Sequence, residues 1–464
     1  MLKQICILTL GCPKNIVDTE FIMSSLDKQK FIFTEIIENA DIILLNTCGF
    51  LQTSIEESFS YIQALQNLKS KKTNLKLIVF GCLVSRFANT QTNFTNSKIP
   101  NNKFLKKNFP LIDNFFPVFS VAQIVEFLNS NYSKVRTDLL ASKHYAYLKI
   151  SDGCNRKCAF CTIPNIKGKY KSETQNNLLE DAKTLVNNGV KELILIGQET
   201  TNYGIDVTGN NATVSKNNIT MNENNATVEA EMNFYNLLAK LSEVEKLQWL
   251  RIMYAHPNSF DERILELMND RKNICKYIDI PLQHISNNVL QAMKRGTPSD
   301  KIKLLLEKMR KIVPEIRIRS TFIVGFPNET EKDFQELYNF LNEFELDRVG
   351  IFKYSAEIGT VGFESKKQIN DGIKEERFAK LMELQQAISV KKNKNLVGKK
   401  LDILVETDFD DIFFAGRTEF DAPEIDNGVL VKKATNSQKS RKIKLGEIQN
   451  FTVVDCTEYD LICE

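Results

Sequence analysis

Three cysteines fall within eight residues in Cys154-Asn-Arg-Lys-Cys158-Ala-Phe-Cys161. Three thiolates at this spacing suit a soft metal ion or an iron–sulfur cluster. A structural zinc site takes four protein ligands, and no fourth Cys or His stands nearby. That points to a site with one open coordination position. A [4Fe–4S] cluster on three cysteines leaves one iron free for a substrate or cofactor. A zinc knuckle with a distant fourth ligand, or three unrelated core cysteines, are the plainer alternatives. A second set is Cys12, Cys48 and Cys82. Each ends an apolar run: Gln4-Ile-Cys-Ile-Leu-Thr-Leu-Gly, Asp41-Ile-Ile-Leu-Leu-Asn-Thr and Leu75-Lys-Leu-Ile-Val-Phe-Gly. A lone cysteine is often only a small buried hydrophobe. The same strand-then-cysteine order three times over predicts a second converging triad.

The elements that must position these residues follow from hydrophobic period. The first two runs are followed by helical patterns at Ile16 to Leu26 and Ser54 to Leu68. Strands alternating with helices predict a parallel α/β sheet, whose ligand crevice lies beyond the strands' carboxyl ends. Residues 86–110, rich in Asn, Thr and Lys, read as a surface insertion, and residues 130–142 as a linker. A strand near Ile112 to Phe119 and a helix from Val121 to Leu128 close this unit.

Six further strands are predicted at Tyr145–Ile150, Glu192–Gly197, Trp249–Tyr254, Tyr277–Pro281, Arg317–Val324 and Arg348–Tyr354. Helical patterns follow each, which predicts a partial (βα)6 barrel with its site at the strands' carboxyl ends. Residues 205–233 are Asn-rich, carry NNATV twice, and read as a disordered insertion. After Gly398, short strands with turn signals predict a small all-β barrel. The expected domains are therefore 1–137, 138–392 and 393–464, in keeping with about three domains for 464 residues.

Composition excludes some classes. Hydrophobic residues are 42% and charged residues 26%, the balance of a globular protein. No apolar run approaches the roughly 20 residues of a membrane span. The apolar run Ile5 to Leu10 is too short for a signal peptide, so a cytoplasmic location is expected. Disulfides are rare there, and ten cysteines then argue for metal or redox chemistry.

C-x3-C-x2-C after a barrel strand resembles the radical S-adenosylmethionine superfamily. With a second three-cysteine set and a terminal β-barrel, the whole chain resembles the methylthiotransferases. That resemblance implies an amino-terminal methylthiotransferase domain, a radical core and a terminal TRAM domain. It implies S-adenosylmethionine and two [4Fe–4S] clusters. Cys154, Cys158 and Cys161 would hold the radical cluster, and Cys12, Cys48 and Cys82 an auxiliary, sulfur-handling one. It further implies transfer of a methylthio group through a radical that abstracts hydrogen from carbon. Electron and sulfur donors are required, and no motif identifies them.

One branch of the family modifies adenosine in tRNA; another modifies an aspartate of small-subunit ribosomal protein twelve. Gly11-Cys-Pro-Lys-Asn, Gly197-Gln-Glu-Thr-Thr-Asn-Tyr-Gly204, Tyr277-Ile-Asp-Ile-Pro-Leu-Gln-His284, Arg319-Ser-Thr-Phe-Ile-Val-Gly-Phe-Pro327 and Asp421-Ala-Pro-Glu-Ile-Asp426 resemble the protein-modifying branch. Lys167-Gly168 departs from the family's usual Arg-Gly, and Lys171-Ser-Glu173 from an Arg-Ser-Arg-like run. Residues 398–464 carry a net charge of −5 and the rest of the chain +8. An acidic terminal barrel repels RNA and attracts a basic ribosomal protein. That disfavours tRNA as partner.

Weaker signals complete the expected site. Gly197, Gln198 and Glu199 end the second barrel strand, beside the place for S-adenosylmethionine. Arg319 is a candidate partner for its carboxylate, with an internal barrel ion pair as the alternative. Lys14 and Asn15 stand beside Cys12, where they could support the auxiliary cluster. His256 and His284 read as structural histidines, and Cys6, Cys275, Cys456 and Cys463 as packing residues.

Overall fold

The first five strands are β1 (Lys3–Thr9), β2 (Phe31–Phe33), β3 (Ile42–Thr47), β4 (Lys76–Gly81) and β5 (Asn114–Phe116). In this computed structural model, which describes residues 2–89, 103–208, 232–433 and 443–464, they form one parallel sheet ordered β2-β1-β3-β4-β5. All six residues of β3 are buried because helices cover both faces, so the strand reads as an unbroken apolar run. The strand order reverses between β1 and β3, and ligand crevices of doubly wound sheets open at such a switch point. Cys12 follows β1 and Cys48 follows β3, on either side of it.

Three features of this part differ from expectation. The short edge strand β2 carries too little pattern to stand out in the sequence. Cys82 opens a helix, Cys82–Asn89, and a second helix spans Lys103–Asn108, so both margins of the expected insertion are ordered. Nor is residues 130–142 a free linker. Arg136 is fully buried, donating to Asp181 on the helix Gln175–Asn187 and to Glu20 on the helix Pro13–Ser25.

Strand β6 (Tyr145–Lys149) begins the second sheet. A short antiparallel ribbon, β7 (Ser151–Asp152) with β8 (Lys171–Ser172), flanks the loop that carries the tight triad. Strands β9 (Glu192–Ile196), β10 (Trp249–Ile252), β11 (Ile274–Asp279), β12 (Arg317–Val324) and β13 (Arg348–Lys353) continue the sheet in strict chain order, all parallel. This is the expected partial barrel. The helix Ser299–Ile312 is one more than the pattern suggested. Of the Asn-rich tract, residues 205–208 form a helical turn. Both NNATV copies lie outside the described residues.

Strands β14 (Lys400–Asp408), β15 (Phe413–Thr418), β16 (Val429–Lys432), β17 (Ile448–Cys456) and β18 (Leu461–Cys463) close a barrel ordered β14-β15-β16-β18-β17. The last strand is a fifth, beyond the four expected. This barrel docks on the amino-terminal ends of the larger barrel's strands. There Glu192 accepts hydrogen bonds from Arg251 and from Arg417 of β15, all three buried. The Asp421-to-Asp426 motif faces the same joint. Asp421 pairs with Arg348, and Asp426 with Arg319 and the Tyr277 hydroxyl. Much of this motif's acidity is therefore matched by arginines of the neighbouring barrel rather than displayed. Exposed acids remain at Asp402, Asp408, Asp410 and Asp411.

Candidate active site

All six motif cysteines line one cavity of about 530 Å³ between the two sheets, at their carboxyl ends. The loops that bring them there are built on close approaches. Gly11 has φ +94°, and a Cβ there would stand 2.9 Å from that of Cys48. Gly153 has φ +74°, and its Cβ would meet the Lys169 carbonyl at 2.1 Å. Both positions exclude side chains, so the two triad loops can fold tightly. Asn15 laces the first triad together. Its amide donates to the Leu10 and Thr47 carbonyls, which immediately precede the Gly11-Cys12 pair and Cys48. Its oxygen lies 4.0 Å from the Cys82 sulfur. Across the cavity, the Arg156 backbone N–H donates to the Cys154 sulfur at 3.4 Å, and Arg295 donates to Cys158 at 3.6 Å. Thr162 bonds the Phe50 carbonyl, and Arg86 pairs with Glu357, joining the two sheets around the rim.

Among the described residues, no three His, Cys, Asp or Glu side chains are gathered tightly enough to hold a single metal ion. Burial pushes the Cys82 and Cys161 thiols up to about 12, and it raises Cys154 as well. A bound cation would have to displace those protons. Lys167, the departure from Arg-Gly, is buried and paired with Asp152. A lysine meets this carboxylate with a single contact where an arginine could offer two.

Gln198 and Glu199 line the cavity, as expected. Glu199 is held by Arg156 at 2.6 and 2.8 Å and by the Ser259 hydroxyl at 2.7 Å. Gly197 is not on the wall; it is the place where the strand passes Ser151, whose hydroxyl would lie 2.6 Å from a Cβ. Arg319 is a correction. It faces the barrel interior, but near the wrong end, where it pairs with Asp279 and Asp426. Thr321, two residues on, reaches the cavity on the same face.

His256 is a second correction. Its Nδ1 accepts the Asn258 backbone N–H, and burial pushes its pKa far down, so the neutral ring carries its proton on Nε2. That atom is buried without a partner in the cavity wall, as are Gln198 Oε1, Gln283 Oε1 and Arg295 Nε. His284 has Nδ1 bonded to the Ser286 N–H and no place on the cavity, but among the described residues its buried Nε2 has no hydrogen-bond partner, so it is not the satisfied histidine expected. Cys6, Cys275, Cys456 and Cys463 also lie off the cavity. Sequence reasoning missed Arg156, Tyr254, Gln283, Arg295 and Thr321. Arg156, Gln283 and Thr321 carried a signal, being inside motifs already singled out; Tyr254 and Arg295 carried none. Tyr254 and Gln283 both adopt positive φ, +58° and +74°, a strain that clusters at functional walls.

Two cysteine triads on one cavity, one from a single loop and one from three strand ends, with a partial barrel beneath and a small barrel behind, define the class of a radical S-adenosylmethionine methylthiotransferase. Family models agree: residues 148–341 match the radical SAM superfamily, 4–98 match uncharacterized protein family UPF0004, and 397–464 match the TRAM domain. The ribosomal protein uS12 methylthiotransferase RimO of Desulforamulus reducens is 36% identical, covering 100% of this chain and 99% of its own. The RimO of Chloroherpeton thalassium is 37% identical over 99% and 98%. The chain belongs to the RimO family. Among solved structures, the radical S-adenosylmethionine methyltransferase TsrM of Kitasatospora setae superposes at a TM-score of 0.49, with 11% identity over 75% of this chain and 73% of that one. That likeness is too loose to add to the assignment. No helix among the described residues is long and apolar enough to cross a membrane.

Proposed function

We propose that this chain acts in the cytoplasm to convert an aspartate of ribosomal protein uS12 to 3-methylthioaspartate. Cys154, Cys158 and Cys161 would hold one [4Fe–4S] cluster, and Cys12, Cys48 and Cys82 a second. The work divides among residues 1–137, 138–392 and 393–464. One observation carries the reading: both triads open onto a single cavity, so hydrogen abstraction and sulfur delivery can reach the same carbon.

The donor set fits the groups. Three thiols on each side leave one iron of each cluster without a protein ligand. The unpartnered atoms of Gln198, Gln283 and His256 are the kind of buried polar groups a polar cofactor satisfies. When bound, the clusters and S-adenosylmethionine supply a carbon-centred radical, sulfur and a methyl group. The chain's own residues orient and insulate. Arg156 and Arg295 donate N–H groups toward the radical-site sulfurs and carry positive charge beside them. Gln198 and Glu199 form the wall on which S-adenosylmethionine would lie, with Glu199 fixed by Arg156 and Ser259. The rim contacts of Thr162 and Arg86 keep the two sheets closed over the chemistry.

The test is anaerobic reconstitution with iron, sulfide, S-adenosylmethionine and a reductant, offering uS12 and tRNA in parallel. Mass spectrometry should find a methylthio adduct on the uS12 aspartate, and Cys158→Ala should abolish deoxyadenosine formation. An adduct on tRNA alone would overturn the substrate while leaving the class intact.

A further inference from the structure

Three cationic side chains reach the cavity between the triads: Lys14, Arg156 and Arg295. Two are already engaged. Arg156 is paired with Glu199. Arg295 donates to the Cys158 sulfur and to the Pro281 carbonyl. Lys14 is 7% exposed, yet among the described residues its ammonium meets neither a carboxylate nor a carbonyl. It lies 3.3 Å from the centroid of the Tyr254 ring. An aromatic face attracts a cation without neutralising it. Lys14 lines the cavity, so its charge stands ready for an anion that enters.

Both partners of this pair are held firmly, and by different sheets. Lys14 sits in the first turn of the helix Pro13–Ser25, between Cys12 and the laced Asn15. Tyr254 follows β10 in a left-handed conformation, with its N–H bonded to Asp279 at 3.1 Å. The ammonium is therefore presented to the cavity in a fixed place.

Resting on the aspartate reading above, we propose that Lys14 binds the side-chain carboxylate of the target aspartate and sets the specificity of the enzyme. The carbon to be modified is bonded directly to that carboxyl carbon. Pinning the carboxylate two residues from Cys12 places this carbon beside the auxiliary triad. Among the described residues the only acid on the cavity wall, Glu199, is occupied by Arg156 and does not compete for Lys14. A nucleobase brings no negative charge and leaves Lys14 unmatched.

The test uses reconstituted holoenzyme: wild type, Lys14→Met and Lys14→Gln. Each is titrated with full-length uS12, with uS12 whose target aspartate is changed to asparagine, and with S-adenosylmethionine alone. Wild type should favour the aspartate form on the order of 10- to 100-fold, the range of a hydrogen bond to a charged group. Both variants should lose that preference, through weaker binding of the aspartate form and a raised KM. Lys14→Gln keeps a polar head, so a folding defect confined to Lys14→Met leaves the test standing. Equal weakening of both uS12 forms would mark Lys14 as structural and overturn the proposal. So would weakened S-adenosylmethionine binding with the uS12 preference intact. If wild type modifies the aspartate and the variants keep the preference, only the Lys14 assignment fails. If wild type ignores uS12 and modifies tRNA, the substrate reading fails and takes Lys14 with it.

Discussion

Glu192→Gln should loosen the joint between the two barrels. Glu192 and Arg251 are fully buried, and Arg417 is 5% exposed. The carboxylate accepts from Arg251 Nε at 2.5 Å and from Arg417 Nη2 at 2.7 Å. The amide keeps the shape and removes the charge, which strands the Arg251 guanidinium and leaves Arg417 with Glu406 alone. Breaking a buried pair from one side costs about 3–5 kcal/mol. Arg417 retains Glu406, and Arg251 retains the Glu419 carbonyl, so the expected cost is near the lower end, about 3 kcal/mol. The chain has one tryptophan, Trp249, and it packs in the same cluster as Leu404 and Ala422 of the small barrel. Its emission therefore reports directly on the joint. With a urea slope of roughly 2–3 kcal/mol/M, the fluorescence midpoint should fall by about 1 M or more. Glu192→Met combined with Arg251→Met removes charge from both sides and should recover much of the loss. An unmoved midpoint, or a double variant no better than the single, would refute stranded charge as the cause.

Two further outcomes follow from buried ions. Arg136→Met should leave Glu20 and Asp181 buried without a counter-charge, costing about 3–5 kcal/mol, and limited proteolysis should then cut within residues 130–142. Burial opposes ionisation of Asp333, but hydrogen bonds from Ser286, Thr330 and Asn288 hold its pKa down at about 2. Its folded pKa lies below the unfolded value, so its contribution of roughly 2 kcal/mol is complete above about pH 4 and is lost as pH falls toward 2. The stability gap between wild type and Asp333→Asn should close across that range; a constant gap would contradict it.

Both triads were legible because their signals are local. The tight motif needs only eight consecutive residues, and each cysteine of the other set follows its own apolar strand. Strand β12 has the bounds its pattern predicts, since a period of two is written into the segment. Short elements such as β2 and β18 carry too few residues to show a period.

What tertiary structure alone decided is which distant groups meet. The strand that carries Arg319 is legible, but its height in the barrel is set by strand register, which puts it at the end opposite the cavity. Its partner Asp426 lies 107 residues away. The charge of −5 over residues 398–464 is plain in the sequence, but the arginines that cover Asp421 and Asp426 are not. His256 became a cavity donor only through burial and the Asn258 N–H that fixes its tautomer. Lys14 shows the same division. Its place beside Cys12 is sequence; its unmatched charge against Tyr254 exists only after two separate sheets have packed. Local pattern follows from the covalent chain, whereas burial and charge pairing are properties of the assembled molecule.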